Sequence, residues 1–330
     1  MPDAAAAQTE GVRVPSVLAA LLLAMVAACA PAGPVAVPTP PPSSAPAPAP
    51  ASPAQAARVL PPVQDVTGLR GDRLVAPPRV ALPGAQADGT ARLAAGGRTY
   101  LLAPARRVAP GQRPALVLVL PAANTTLREE YDRYGLDALR DHGMTVAVVG
   151  THAASWNAGA CCGRAAAEQV DDVAVVAAVR DDVVARGAAR GQHVAAVGHS
   201  VGALMVWRLV CTPAFGLSAA VAVAGTLVHP CPRPLQRVPH VLALHGAVDA
   251  SVPLDGSDQV VPLLGIATPS VRDVVAQVAA AARCGADGSG CAGGGSVRLT
   301  VVPGRGHPWE DLDATRRTAA FLSEVLPGVR

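Results

Sequence analysis

Between Pro114 and Gly304 the chain repeats one pattern: a short, continuous apolar run, then a stretch of helix-forming residues. The runs read "ALVLVL", "MTVAVV", "HVAAVG", "LSAAVAVAG", "HVLALHG" and "VRLTVVPG". All but the last are continuous apolar runs, which fits strands covered on both faces of a sheet; "VRLTVVPG" alternates apolar with polar over its first five residues. Helices are expected in "LREEYDRYGLDALRDHG", "EQVDDVAVVAAVRDDVVARG", Val201 to Cys211, "SVRDVVAQVAAAARC" and "DATRRTAAFLSEVL". In the second of these, Val170, Val173, Ala177 and Val184 share one helical face, with the pairs Asp171/Asp172 and Asp181/Asp182 largely outside it. Upstream, "ARLAAGGRTYLLAPA" predicts two short strands around a Gly-Gly turn. Strands alternating with helices imply an α/β fold: a mostly parallel central sheet with helices on both faces.

Composition narrows the function. With 330 residues, 51% apolar but only 2% aromatic, the chain can build a sizeable core, tiled from small and branched aliphatic side chains. The net charge of +3, with no basic run, excludes a nucleic-acid partner. All 27 basic side chains are arginines. The absence of lysine excludes a phosphate-loop lysine, a Schiff base and a Ser-Lys dyad. No metal-ligand spacing occurs, so neither a metal nor an organic cofactor is expected.

The front of the chain carries an address. "VRVPSVLAALLLAMVAAC" places a basic residue, Arg13, before an apolar run too short for a membrane span, closed by small residues ahead of Cys29. This resembles the lipobox of bacterial lipoproteins, in which the cysteine becomes the lipidated N-terminus; an ordinary secretory signal or an uncleaved anchor are the alternatives. Asp3 and Glu10 fit such a leader poorly, and a later start near Val12 would remove them. The expected organisation is therefore a leader over 1–29, a Pro/Ala-rich extended tether over 30–64 and a catalytic domain over 65–330. Of seven cysteines, six remain once Cys29 is set aside for lipid, an even number that suits an oxidising compartment. Cys211 with Cys231 and Cys284 with Cys291 could form short-range bridges; the adjacent Cys161 and Cys162 could pair or stay reduced.

Chemistry points to Gly198-His199-Ser200-Val201-Gly202. Alone this pattern is weak evidence in a glycine-rich chain. Its place decides, because Ser200 follows an apolar run directly and a helix begins at once. A sharp strand-to-helix turn would strain the serine backbone, expose its hydroxyl above the sheet edge and leave the Val201 amide free to donate to an oxyanion. A serine needs a base, and the base needs an orienting acid. His307, in "VRLTVVPGRGHPWED", follows a late strand and lies beyond every good acid candidate. Asp249, in "HVLALHGAVDASVP", follows the preceding strand, with Asp255 and Asp258 as rivals. The order Ser200, Asp249, His307 is that of the α/β-hydrolase triad. His199 and His245 are expected to serve the turn and strand end structurally, and His193 and His240 to open strands at the far end of the sheet.

From about Ala91 onward the chain resembles the α/β-hydrolase superfamily, and more narrowly the polyhydroxybutyrate depolymerase and feruloyl-esterase-like secreted esterases, many of them bacterial lipoproteins. The marks are "YGLDALRDHGMTVAV", "WNAGACCG" followed by "VDDV", "GHSVGALM", the cysteine pair around "AVAVAG", "LHGAVDASVP" and "GRGHPWE". The resemblance implies Ser200 as nucleophile, Asp249 as acid and His307 as base, with Trp156 and Trp309 walling the substrate cleft. It gives the cysteines of "WNAGACCG" a structural part and Asp171 and Asp172 no chemistry. One departure stands out. Where these relatives carry His-Gly after the strand, this chain has Pro121-Ala122, which leaves the Ala123 amide as the second oxyanion donor. The long connection "SVPLDGSDQVVPLLGIATPS" is a candidate cover for the cleft. The function implied is an envelope-tethered ester hydrolase, acting on a small or polymeric ester. A binding lipoprotein on the same scaffold, or a peptidase or acyltransferase, are the other readings.

Overall fold

The computed structural model describes residues 74–326, so the expected leader, Cys29 and the tether over 30–64 lie outside the described residues. In chain order the elements are β1 (Ala91–Ala95), β2 (Arg98–Ala103), β3 (Ala115–Leu120), α1 (Leu127–Arg133), α2 (Asp137–Asp141) and β4 (Met144–Val149). Then follow α3 (Gly163–Ala167), α4 (Asp172–Ala185), β5 (Val194–His199), α5 (Val201–Val210), β6 (Ala219–Val223) and β7 (His240–Gly246). The chain continues through β8 (Ser257–Val261), β9 (Ile266–Thr268), α6 (Val271–Ala281), β10 (Ser296–Val302) and α7 (Ala314–Val325).

Eight strands form one sheet in the order β1-β2-β4-β3-β5-β6-β7-β10. β1 and β2 pair antiparallel and β2 joins β4 antiparallel; every pairing from β4 to β10 is parallel. Every residue of β3, β4, β5 and β6 is buried, as continuous apolar runs require. Alternate side chains go to opposite faces. Leu116, Leu118, Ala196 and Ala220 join a core completed by Val176, Val179, Leu204, Met205 and Val274 of α4, α5 and α6. Val117, Val119, Val197 and Val221 join the other core, with Leu127, Leu139, Phe321 and Leu322 of α1, α2 and α7.

Two local expectations change. The stretch "LREEYDRYGLDALRDHG" is two helices rather than one, because Gly135 takes a φ of +57° between them. In α4 the buried face is Asp172, Val176, Val179 and Val183, not the face of Val173, Ala177 and Val184. The cause is the N-terminus: Asp171 caps the helix by accepting from the Ala174 N–H at 3.0 Å, while Asp172 turns inward to Arg98 at 3.0 Å and to the Asn157 N–H at 2.7 Å. The long connection after Asp249 is a compact hairpin, β8 paired with β9, rooted by the buried Val261 and Leu264.

Among the described residues three disulfides are present: Cys161–Cys162, Cys211–Cys231 and Cys284–Cys291. Among the described residues no helix is long and apolar enough to cross a membrane.

Candidate active site

The carboxyl ends of β5, β7 and β10 lie near one another along the sheet, and each carries one of the residues singled out above. Ser200 follows β5 directly, with φ +55° and ψ −124°, a conformation that an L-residue holds only under constraint. The constraint is visible. The Ser200 N–H donates to the Val223 carbonyl of β6 at 3.0 Å, and α5 starts at the next residue. Glycine on each side is a steric need: a Cβ on Gly198 would lie 2.3 Å from the Gly202 carbonyl oxygen, and one on Gly202 would lie 2.0 Å from that of Leu120. As the first residue of α5, Val201 has no intrahelical acceptor for its N–H, which lies at the positive end of the helix dipole.

His307 arrives from the loop after β10. Its Nε2 is 2.9 Å from Ser200 Oγ and its Nδ1 is 2.8 Å from Asp249 Oδ2. Asp249 Oδ1 accepts from the backbone N–H groups of Ser251, at 2.8 Å, and Val252, at 2.9 Å. The fully buried His245 donates from Nε2 to the Val252 carbonyl at 2.8 Å, with Asp249 Oδ2 3.4 Å away. Burial alone would raise the Asp249 pKa, but the contacts to His245, His307 and the Val252 N–H outweigh it and hold the carboxyl well below the usual range. The Asp249 side chain is wholly shielded while that of His307 remains 18% exposed, so the acid is sequestered and the imidazole can be reached. The rivals stand apart: Asp255 pairs with Arg272 at the surface and Asp258 is an exposed residue of β8.

His199, just before the serine, lies beneath this group. Its Nδ1 accepts from the Tyr134 hydroxyl at 2.9 Å and its Nε2 donates to the His307 backbone carbonyl at 3.0 Å. Desolvation pushes its pKa down to about 4, keeping it neutral and able to play both parts. Burial, seconded by Glu130, raises the Tyr134 pKa and keeps the phenol protonated.

The two tryptophans are not walls of an open cleft. Trp156 is fully buried and donates to the Pro121 carbonyl at 3.0 Å. Trp309 is 1% exposed, stacked on Tyr134 with ring centroids 4.0 Å apart, and donates to Thr315 Oγ1 at 2.9 Å. Both rings carry an N–H that finds its partner inside, which suits a buried indole. In the loop after β3, the Ala122 N–H donates to Glu130 Oε1 at 2.9 Å, whereas the Ala123 N–H has no partner among the described residues. Sequence reasoning passed over Glu130 and Tyr134; the Thr126-x-x-Glu129 capping box beside them was the available sign that this loop is tightly organised.

Among the described residues no three His, Cys, Asp or Glu side chains are placed to hold a metal ion. The arrangement can activate a hydroxyl and receive negative charge next to it.

No family model and no curated protein matches the chain. Solved structures do match. The acetyl xylan esterase from Aspergillus awamori aligns with 12% identity and a TM-score of 0.50, over 68% of this chain and 94% of that one. A serine hydrolase of the α/β type, described as without lid, from Xanthomonas campestris aligns with 15% identity and a TM-score of 0.46, over 72% of this chain and 95% of that one. Together with the strand order and the helix layers, the likeness to the acetyl xylan esterase identifies the fold as the α/β-hydrolase fold.

Proposed function

We propose that the chain is a serine hydrolase of carboxylic esters that works through an acyl-enzyme. The supporting observation is the line of contacts from Ser200 Oγ through His307 to Asp249, at 2.9 and 2.8 Å, with Ser200 on a strained turn at the start of a helix. His307 Nε2 takes the Ser200 proton as Oγ attacks the ester carbonyl. Charge developing on the carbonyl oxygen is received by the amides of Val201 and Ala123, each such donor being worth about 2.7 to 4 kcal/mol of barrier. The same nitrogen then returns the proton to the departing alcohol. In the second half-reaction it deprotonates a water that attacks the acyl group and frees the acid. Asp249 keeps the proton of His307 on Nδ1 and stabilises the imidazolium without itself being protonated.

Within this class the family resemblance offers hydroxyalkanoate polymers or oligomers, feruloyl-type esters and short acyl esters as substrates. The leader-like run ending at Cys29, and the pairing of the other six cysteines, favour an exported protein held to the outer face of the membrane by lipid. A p-nitrophenyl ester series from acetyl to long acyl, run on the protein and its Ser200→Ala variant, tests the reading. Serine-dependent turnover is expected, with a chain-length preference that defines the acyl pocket; folded protein inert towards every ester would refute it.

A further inference from the structure

The loop leaving β3 lacks the His-Gly pair of the proteins it resembles, yet it is held from several sides. Leu120 pairs in register with Gly198, so the loop begins beside the turn that carries Ser200. The Trp156 indole holds the Pro121 carbonyl. Glu130 Oε1 accepts from the Ala122 N–H at 2.9 Å and from Thr125 Oγ1 at 2.7 Å, and Thr125 Oγ1 also lies 3.2 Å from the Ala122 carbonyl oxygen. The Thr125–Glu130 pair thus faces both polar groups of Ala122: Glu130 accepts from the N–H, and the carbonyl shares the single Thr125 hydroxyl proton as its longer, weaker arm.

The consequence follows from peptide planarity. In a trans peptide the N–H points opposite to the preceding C=O. Drawing the Ala122 carbonyl towards Thr125 therefore aims the Ala123 N–H away from the Glu130 pocket, and that amide has no partner among the described residues. Asn124, at φ +59°, turns the chain immediately afterwards.

Glu130 is expensive for a residue that only packs. It is fully buried, and its second oxygen, Oε2, has no hydrogen-bond partner among the described residues. An apolar side chain would fill the space without desolvating a carboxyl group.

We infer that Glu130 is a positioning residue which, through Thr125 and the Ala122 amide, sets the Ala122–Ala123 peptide plane so that the Ala123 N–H serves as oxyanion donor. It takes over the task of the missing glycine-bearing loop. The inference rests on Ser200 being the nucleophile.

The test is steady-state hydrolysis of p-nitrophenyl butyrate by the full chain and its Ser200→Ala, Glu130→Ala, Glu130→Gln and Thr125→Val variants, with active sites counted by fluorophosphonate labelling. Glu130→Ala is expected to lower kcat per labelled serine about a hundredfold, as loss of an oxyanion donor does, with KM within about threefold. Its affinity for a trifluoromethyl ketone, which forms an oxyanion on the serine, should fall by a similar factor. Glu130→Gln keeps an oxygen able to accept both bonds and should stay within about tenfold of the parent; Thr125→Val should fall between the two. A role in folding alone would lower the count of active sites and leave kcat per site unchanged, and that result overturns the inference, as does a loss confined to KM. If Glu130→Ala does not fold, unchanged kcat per site in Thr125→Val overturns it equally. A parent without serine-dependent turnover removes the nucleophile reading and this inference together; an active parent with an equally active Glu130→Ala removes this inference alone.

Discussion

His199 Nε2 donates to the backbone carbonyl of His307 at 3.0 Å, so the residue preceding the proposed nucleophile anchors the loop that carries the proposed base. The anchor is itself fixed by Tyr134, which stacks on Trp309 two residues beyond His307. Replacing His199 with Phe keeps a ring in place but removes both hydrogen bonds. Displacement of reacting groups by about 1 Å costs around a hundredfold, so kcat should fall between about tenfold and a hundredfold with little change in KM. Steady-state kinetics beside a thermal melt check this, the melt separating misplacement from unfolding.

Gly202 lies where α5 crosses β3, with its would-be Cβ 2.0 Å from the Leu120 carbonyl oxygen. Gly202→Ala must push the helix off the strand and should destabilise the fold by about 3 kcal/mol. Gly191→Ala is the control: its Cβ would meet Val184 at 3.5 Å, an ordinary contact, and a change within about 0.5 kcal/mol is expected. Denaturant unfolding of the two variants measures the difference.

Acid should weaken the fold in two stages. His199 is held neutral, its pKa depressed to about 4 from an ordinary 6.5, so between those values the unfolded chain binds the extra proton. Stability therefore falls as pH drops from 6.5 to 4, by on the order of 3 kcal/mol from this group, and is flat above 6.5 as far as His199 is concerned. His193, His229 and His240, also depressed by burial, act in the same direction. Asp249 works oppositely in mechanism: its carboxylate contribution is present above the ordinary 3.8 and is lost only as pH falls further. Unfolding free energies between pH 3 and 8 should show the first decline, and His199→Phe should make it shallower, leaving the part due to the other depressed histidines.

The sheet was legible because its central strands are buried on both faces and so are written as unbroken apolar runs. The proximity of Ser200, Asp249 and His307 was legible because each follows a parallel strand, whose carboxyl ends share one edge. The buried face of α4 was not, since a charged residue normally marks the solvent side, and the partners that let Asp172 turn inward come from residues 98 and 157. Trp156 and Trp309 were misjudged for a related reason: an indole in a loop suits a cleft wall or a core equally until its N–H partner is known. Glu130 escaped notice because it sits in an ordinary charged helical stretch, and only the returning loop reveals that its carboxyl faces inward.

The most direct measurement is the mass of the intact protein after treatment with an alkyl fluorophosphonate, followed by peptide mapping. Having no lysine, the chain releases Ser200 by trypsin in a single peptide from Gly191 to Arg208. If Ser200 is a nucleophile activated by His307, one adduct forms per chain, on that peptide, and both Ser200→Ala and His307→Ala abolish rapid labelling. An unlabelled folded protein, or an adduct on any other peptide that survives Ser200→Ala, would contradict the account.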